Sequence, residues 1–450
     1  MNVALAKTDT GCALSDAFAA ARDRLPGTGQ VPHTRQLAFD SYARRGLPHR
    51  RIEDWKYTDL RALMREVLPQ APAPDQAALD AAAKTLKAHA IKGVRRFVLV
   101  DGFFAPGLSD LEDVEQGLTI RTLRETLESG YWPSLIRLMG IQDADPTDAG
   151  DRSDPMIALN AAMMTDGVMI EVAGGTQLAR PLHIIHVATT AAPAAMFTRS
   201  SVRLGNAATA TLIESFLAAG NAAAYQVHNA VMMLVGAGAR LDHIRLAEDH
   251  RDAFNISSAV VGLGARSHFN TFGLTTGAGV SRFQTFIDCA GEGAKVETSG
   301  VNLLNGKQHA DTTMFIDHAA PNCSSREVFR AVLDDSAHSV FQGRIIVRPD
   351  AQKTDARMMT RALLLSDNAE ADNKPELEIF ADDVSCGHGA TSGALDQNLL
   401  FYLRTRGLPE KEAQALLIQA FVGEAIESIA GDTLRELAAA AAERWLRARS

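Results

Sequence analysis

Gly236-Ala-Gly-Ala-Arg-Leu-Asp-His-Ile-Arg-Leu246 and Gly262-Leu-Gly-Ala-Arg-Ser-His-Phe-Asn-Thr-Phe-Gly-Leu274 carry the reading of the fold. Each opens on a turn of small residues and runs on as an alternating strand. The same turn texture recurs at Gly205-Asn-Ala-Ala, Gly291-Glu-Gly-Ala and Asp334-Asp-Ser-Ala. The first four turns follow one another at intervals of 31, 26 and 29 residues. A strand pair of that length cannot bury its apolar face alone, and repetition lets each coil stack on the next. From Val168 to about Val384 short strands rich in Val, Ile, Leu, Thr and Phe predominate, with almost no helical pattern. The pattern predicts a mainly β protein built on a β-helix, with a β-sandwich as the competing architecture.

The flanks have a different period. Ala17–Arg24 and Gln36–Arg45 read as helices, divided by Pro26-Gly27-Thr28-Gly29. Thr122–Glu128 and Asp154–Met164 are further helical candidates, and Arg96–Gly102 reads as a strand ending in a turn. Asp143–Asp154 is acidic but lacks the order of a calcium loop, so a surface loop is expected. From Asp396 onward the chain reads as helical. Its long central helix has Ala413, Leu416, Leu417, Ala420, Phe421 and Ala425 on one stripe, and Gly407-Leu408-Pro409 and Gly431 interrupt the pattern.

Composition narrows the class. A 450-residue chain with a net charge of −9 has no broad attraction for nucleic acid or anionic membrane. Four cysteines (Cys12, Cys289, Cys323, Cys386) make no disulfide framework in a chain this long, which fits a reducing compartment. The first residues lack a basic stretch followed by an apolar core, and no apolar run is long enough to span a bilayer. A cytoplasmic location is expected.

The chemistry concentrates in Pro375–Gly407, PELEIFADDVSCGHGATSGALDQNLLFYLRTRG. Leu377, Ile379 and Phe380 begin it as a strand, and Leu395, Leu399, Leu400 and Leu403 close it at helical spacing. If Val384–His388 is extended, Cys386 and His388 share a face. A thiolate beside an imidazole suits iron or zinc, but two ligands fall short of the four that a closed site needs. The remainder must come from elsewhere in the chain or from a second subunit. Taken on spacing alone, a buried cysteine beside a capping or core histidine is the simpler explanation of the pair. Asp382 and Asp383 could orient the imidazole or cap the turn. His309, His318 and Cys323 lack a regular ligand spacing. Gly300–Lys307 resembles a phosphate loop but has five residues between its glycines, and Gln308 follows where Ser or Thr would bind Mg²⁺. No ATP hydrolysis is expected. Arg44, Arg45, Arg50 and Arg51 could form an anion site, but the simpler reading is that Trp55 and Tyr57 anchor the helical region while the arginines stay solvated.

Several of these stretches together resemble the SufB/SufD family of iron–sulfur cluster assembly scaffolds. They are the 375–407 segment, Phe341-Gln-Gly-Arg344, Arg348-Pro-Asp-Ala-Gln-Lys-Thr354 and Arg361-Ala-Leu-Leu-Leu-Ser366. Arg51-Ile-Glu-Asp-Trp-Lys-Tyr-Thr58 is similar to the SufD branch, and the small number of cysteines also favours that branch over SufB. The resemblance implies a right-handed parallel β-helix over 166–393, between a mainly helical region, 1–165, and a C-terminal helical region, 394–450. It implies a non-catalytic scaffold that pairs with SufB, binds the SufC ATPase and holds a transient iron–sulfur cluster at the SufB–SufD interface. His388 is the first cluster ligand it suggests and Cys386 the second, although the family commonly has Ser where this chain has Gly387. It places SufC on the C-terminal helices, here Tyr402, Leu403, Leu416, Leu417 and Phe421, and makes Asp317-His318 and Pro321 a corner of the β-helix. A homodimer when alone is consistent with it, and a flavin on the complex stays open. A SufB-like scaffold and a polysaccharide-active β-helix enzyme using Arg344, Arg348 and Asp350 are the alternatives.

Overall fold

The computed structural model describes residues 9–130, 154–429 and 431–449. At its centre about eight coils stack into a β-solenoid, each giving one strand to each of two sheets. The ten-stranded sheet runs from Phe103–Phe104 and Arg95–Val100 to Ser385–Gly393. The nine-stranded sheet runs from Leu118–Thr122 to Glu370–Ile379. Pairing is parallel and in register from coil to coil, and only the short strands at the N-terminal end run antiparallel. In-register parallel stacking lines up equivalent side chains in columns. One lumen column is therefore Thr298, Glu327, Met358 and His388.

The repeated glycines have a steric cause. A Cβ on Gly236 would lie 2.8 Å from backbone atoms of the Gly205–Asn206 turn, and one on Gly291 would lie 2.0 Å from the Ala265 nitrogen. Each turn rests on the backbone of the turn before it. Two details depart from the sequence reading. Gly262 is still inside its strand, and the stacking residue of that turn is Gly264. Asp334–Ala337 closes the opposite side of the coil, where the Ser336 amide donates to Gly306 at 2.9 Å, so it is no fifth member of the series.

The N-terminal helices divide between the sheets, and Gln76–Ala88 packs through Ala82 and Leu86 on Val98, Val100 and Ile185 of the ten-stranded sheet. N-terminal helices Asp9–Ala21, Val31–Arg45 and Pro155–Met163 pack with Phe197, Phe254 and Ile256 of the nine-stranded sheet. Asp154 caps the last of these, and the acidic residues 143–153 lie outside the described part of the chain. The C-terminal helices, Gln397–Thr405, Glu410–Ile426 and Asp432–Arg449, extend over the ten-stranded sheet. The buried stripe of the middle helix is Ala413, Ile418, Val422, Ala425 and Ile426, set against Val301, Val332 and Leu363. The predicted stripe is thus rotated: Leu416 is 46% exposed, and Ala420 faces solvent. Leu, Ile and Val are interchangeable in a pattern of period 3.6, and the sheet beneath decides which row is buried.

Candidate functional site

The solenoid is sealed at one end and open at the other. At the N-terminal end antiparallel strands close both sheets. At the C-terminal end Glu370–Ile379 and Ser385–Gly393 are each the last strand of their sheet. The end of the final coil is uncovered: Leu377 and Ile379, whose register partners Ile345 and Val347 are core, are half-buried and 42% exposed, and Phe380, just past the strand, is 60% exposed. Such an edge carries unpaired backbone groups ready for another strand.

Cys386 and His388 lie on that open edge. Their register partners Ala356 and Met358 belong to the core, so both project toward the lumen side of the terminal strand. Cys386 is half-buried and packs on the core, whereas His388 is exposed. Burial pushes the Cys386 thiol up, partly offset by a bond from the Ala356 backbone. A neutral thiol must lose its proton to bind metal, while an imidazole binds as the neutral ring. His388 is therefore the readier ligand. Gly387 has nothing within 4 Å of a would-be Cβ, so a serine there is sterically free. Asp383 pairs with Lys353, and its backbone amide donates to Gln352 Oε1 at 3.0 Å, which gives it the turn role. Among the described residues no hydrogen bond joins Asp382 or Asp383 to the His388 ring.

The other candidates separate. His318 and Cys323 are in the interior, with His318 Nε2 3.1 Å from Ser325 Oγ, and His309 lies on the outer face. Asp317 accepts two bonds from Arg348, at 2.9 and 2.8 Å, bracing the predicted corner beside Asn322, whose φ is 61°. Arg344 is bound by Asp54, Glu376 and Glu378. Both arginines are thus committed to ion pairs. The segment resembling a phosphate loop is strand, turn and strand, with no helix N-terminus to receive phosphate.

Trp55 does more than anchor helices. Its ring lies under the guanidinium of Arg282, 3.7 Å from the ring centroid, and its Nε1 donates to Asp154 at 3.1 Å. Arg282 in turn forms an ion pair with Asp311, both fully buried, and donates to the Asp54 carbonyl at 2.7 Å. Glu53 pairs with Lys374 on the last strand of that sheet. The 51–58 stretch is thus a strap along the outer face of the later coils. Arg44, Arg50 and Arg51 are exposed, as the solvated reading expected. Through Thr58 the strap also meets His309, which the structure joins to His338 and Asp372, with Glu370 beside them, a grouping that the sequence does not reveal as such. His309 and His338 are 29 residues apart, about one coil, and that interval was the available signal.

On Tyr402, Leu403, Leu416, Leu417 and Phe421 the helices give a mixed answer. Tyr402 is 53% exposed and Leu416 46%, while Leu403 and Leu417 are half-buried. Phe421 packs on the sheet side, under Arg330 at 5.6 Å. Among the described residues no helix is long and apolar enough to cross a membrane.

The family described as "SUF system FeS cluster assembly, SufBD core domain" matches residues 186–421, and "SufBD protein N-terminal region" matches residues 15–184. An iron–sulfur cluster assembly SufBD family protein of Synechocystis is 31% identical over 403 residues, covering 88% of this chain and 86% of that protein. The iron–sulfur cluster assembly protein SufD of Escherichia coli is 31% identical over 426 residues, covering 91% and 92%. A SufBD family protein of Mycobacterium leprae is 27% identical over 369 residues, covering 77% and 92%.

Proposed function

The chain belongs to the SufBD family of iron–sulfur cluster assembly proteins, and we propose that it works there as a non-catalytic, SufD-like scaffold subunit. In this reading its open edge pairs with SufB, and a nascent cluster, the cargo of the complex, is held between the two chains. The three regions divide the work: the 1–165 region gives the first strands of both sheets as well as the helices and strap that cover them, 166–393 carries the ligand edge, and 394–450 receives SufC. Four features make the residues fit an iron–sulfur cargo. The imidazole and thiol share one face, they are borderline-soft donors, they number two, and they stand where a second chain can complete the set. Binding then proceeds from His388, with Cys386 joining as its proton leaves. ATP hydrolysis belongs to SufC, whose motion opens or rearranges the interface for iron and sulfide.

The observation that carries the proposal is the uncapped solenoid end bearing Cys386 and His388. The test is anaerobic iron–sulfide reconstitution of the complex with SufB and SufC, read by visible absorbance. His388→Ala should leave the complex assembled and remove most of the cluster absorbance. Equal absorbance in the variant would reduce this chain to an architectural partner.

A further inference from the structure

On the outer face of the nine-stranded sheet, a string of hydrogen bonds is one proton short. Thr58 Oγ1 donates to Asp311, whose carboxyl oxygens also accept from Thr313 at 2.7 Å and from Arg282. His309 Nε2 is 2.9 Å from the same Thr58 oxygen. With the threonine proton already committed, the imidazole must donate. His309 Nδ1 meets His338 Nδ1 at 3.1 Å, and His338 Nε2 meets Asp372 Oδ2 at 2.8 Å. These three contacts need three N–H groups, and two neutral imidazoles supply two. If His309 donates to Thr58, His338 must donate through Nδ1, which leaves its Nε2 lone pair facing a carboxylate oxygen.

Either a proton or a metal cation between them resolves the conflict, and for a metal cation a further ligand is at hand. Glu370 starts the same strand as Asp372, its carboxylate has no side-chain partner among the described residues, and one ligand atom from each of His338, Glu370 and Asp372 lies within 4.8 Å of the others. We propose that His338 Nε2, Asp372 and Glu370 form a binding site for a divalent first-row transition cation. An ion about 2.1 Å from each atom would see the 2.8 Å nitrogen–oxygen pair at nearly a right angle. That angle suits a six-coordinate Mn²⁺, Fe²⁺ or Co²⁺ with waters in its remaining positions. His309 is the outer partner that fixes the tautomer of His338, and Thr58 links the ion to the strap. The site uses neither Cys386 nor His388, which lie on the other sheet, and it stands or falls independently of the cluster reading.

The test is Co²⁺ titration of the full chain carrying Cys386→Ala and His388→Ala, read by visible absorbance and calorimetry. One Co²⁺ should bind per chain, with weak nitrogen/oxygen-type bands, no thiolate charge-transfer band, and a raised melting temperature. Asp372→Asn and, separately, Glu370→Gln should each weaken binding by more than about tenfold. Glu370 is exposed, so its variant keeps the fold and decides the matter if Asp372→Asn does not. Absence of binding, or unchanged affinity in Glu370→Gln, would show that a proton fills the gap and would overturn the site. Neither result bears on cluster yield in the His388→Ala complex.

Discussion

Glu327 shows what a single residue does inside the solenoid. It is 1% exposed and lies in the lumen column beneath Met358 and His388. Burial pushes its carboxyl up to about 8, with Ser325 and Arg326 pulling weakly the other way. It is therefore a neutral acid at neutral pH, and as such does not add a full negative charge to the surroundings of Cys386. The unfolded chain ionises the same group near pH 4.5, so between pH 4.5 and about 8 the folded state holds the extra proton. Stability must then fall as pH rises through that window, by about 1.4 kcal/mol per unit. Glu327→Gln removes the dependence. The variant should gain stability over the wild type by roughly 3 kcal/mol at pH 7, with a gap that shrinks toward pH 5. Urea unfolding at several pH values measures this, and a gap that does not change with pH would refute the neutral acid. The sequence does not signal this group, because Ser325-Arg-Glu-Val328 reads as an ordinary alternating strand. Only the register shows that Glu327 points inward.

At the scale of elements, the turns and the C-terminal helices were legible to different degrees. Glycine and alanine at the turns announced the solenoid because the turns touch backbone to backbone, a constraint that acts on composition directly. Asp334-Asp-Ser-Ala has similar composition but belongs to the other side of the coil, a distinction that spacing along the chain does not show. The helical stripe was misplaced by one row for the reason already given, and this changes how docking should be tested. Deleting everything after Asp396 would strip Ile418, Val422 and Ile426 from the sheet and damage the fold along with any surface. The discriminating change is Tyr402→Ala with Leu416→Ala, both exposed. Exposed substitutions of this kind cost within about 0.5 kcal/mol each. The double variant should keep its melting temperature within a few degrees and lose most of its capture of SufC, scored by calorimetry. Undiminished affinity would move the docking surface elsewhere.

For the molecule as a whole, the decisive feature is its asymmetry. One solenoid end is closed by antiparallel strands and helices, and the other leaves two strands with partners on one side only. Leu377, Ile379 and Phe380 gave no hint of this, since an apolar run reads as core whether or not the next coil exists. Long exposed strand edges are a liability in a free monomer, and natural proteins usually blunt them with charge or cover them. Here the outward side of Glu370–Ile379 is charged, with Glu370, Asp372, Lys374, Glu376 and Glu378, but the other side ends in Leu377 and Ile379, which are not fully covered. That combination fits a surface meant to be buried by a second chain: SufB in the complex, or another copy when SufB is absent. Charge placed on the uncovered apolar groups at this end should abolish either pairing. Ile379→Glu with Phe380→Glu removes two exposed apolar groups and leaves the earlier coils untouched, so the circular dichroism spectrum should be unchanged. Sedimentation should show a dimer for the wild type at micromolar concentration and a monomer for the double variant, which should also fail to co-purify with SufB. A variant that still pairs with SufB would mean that the partner binds elsewhere, and Cys386 and His388 would then stand on an edge that no second chain completes.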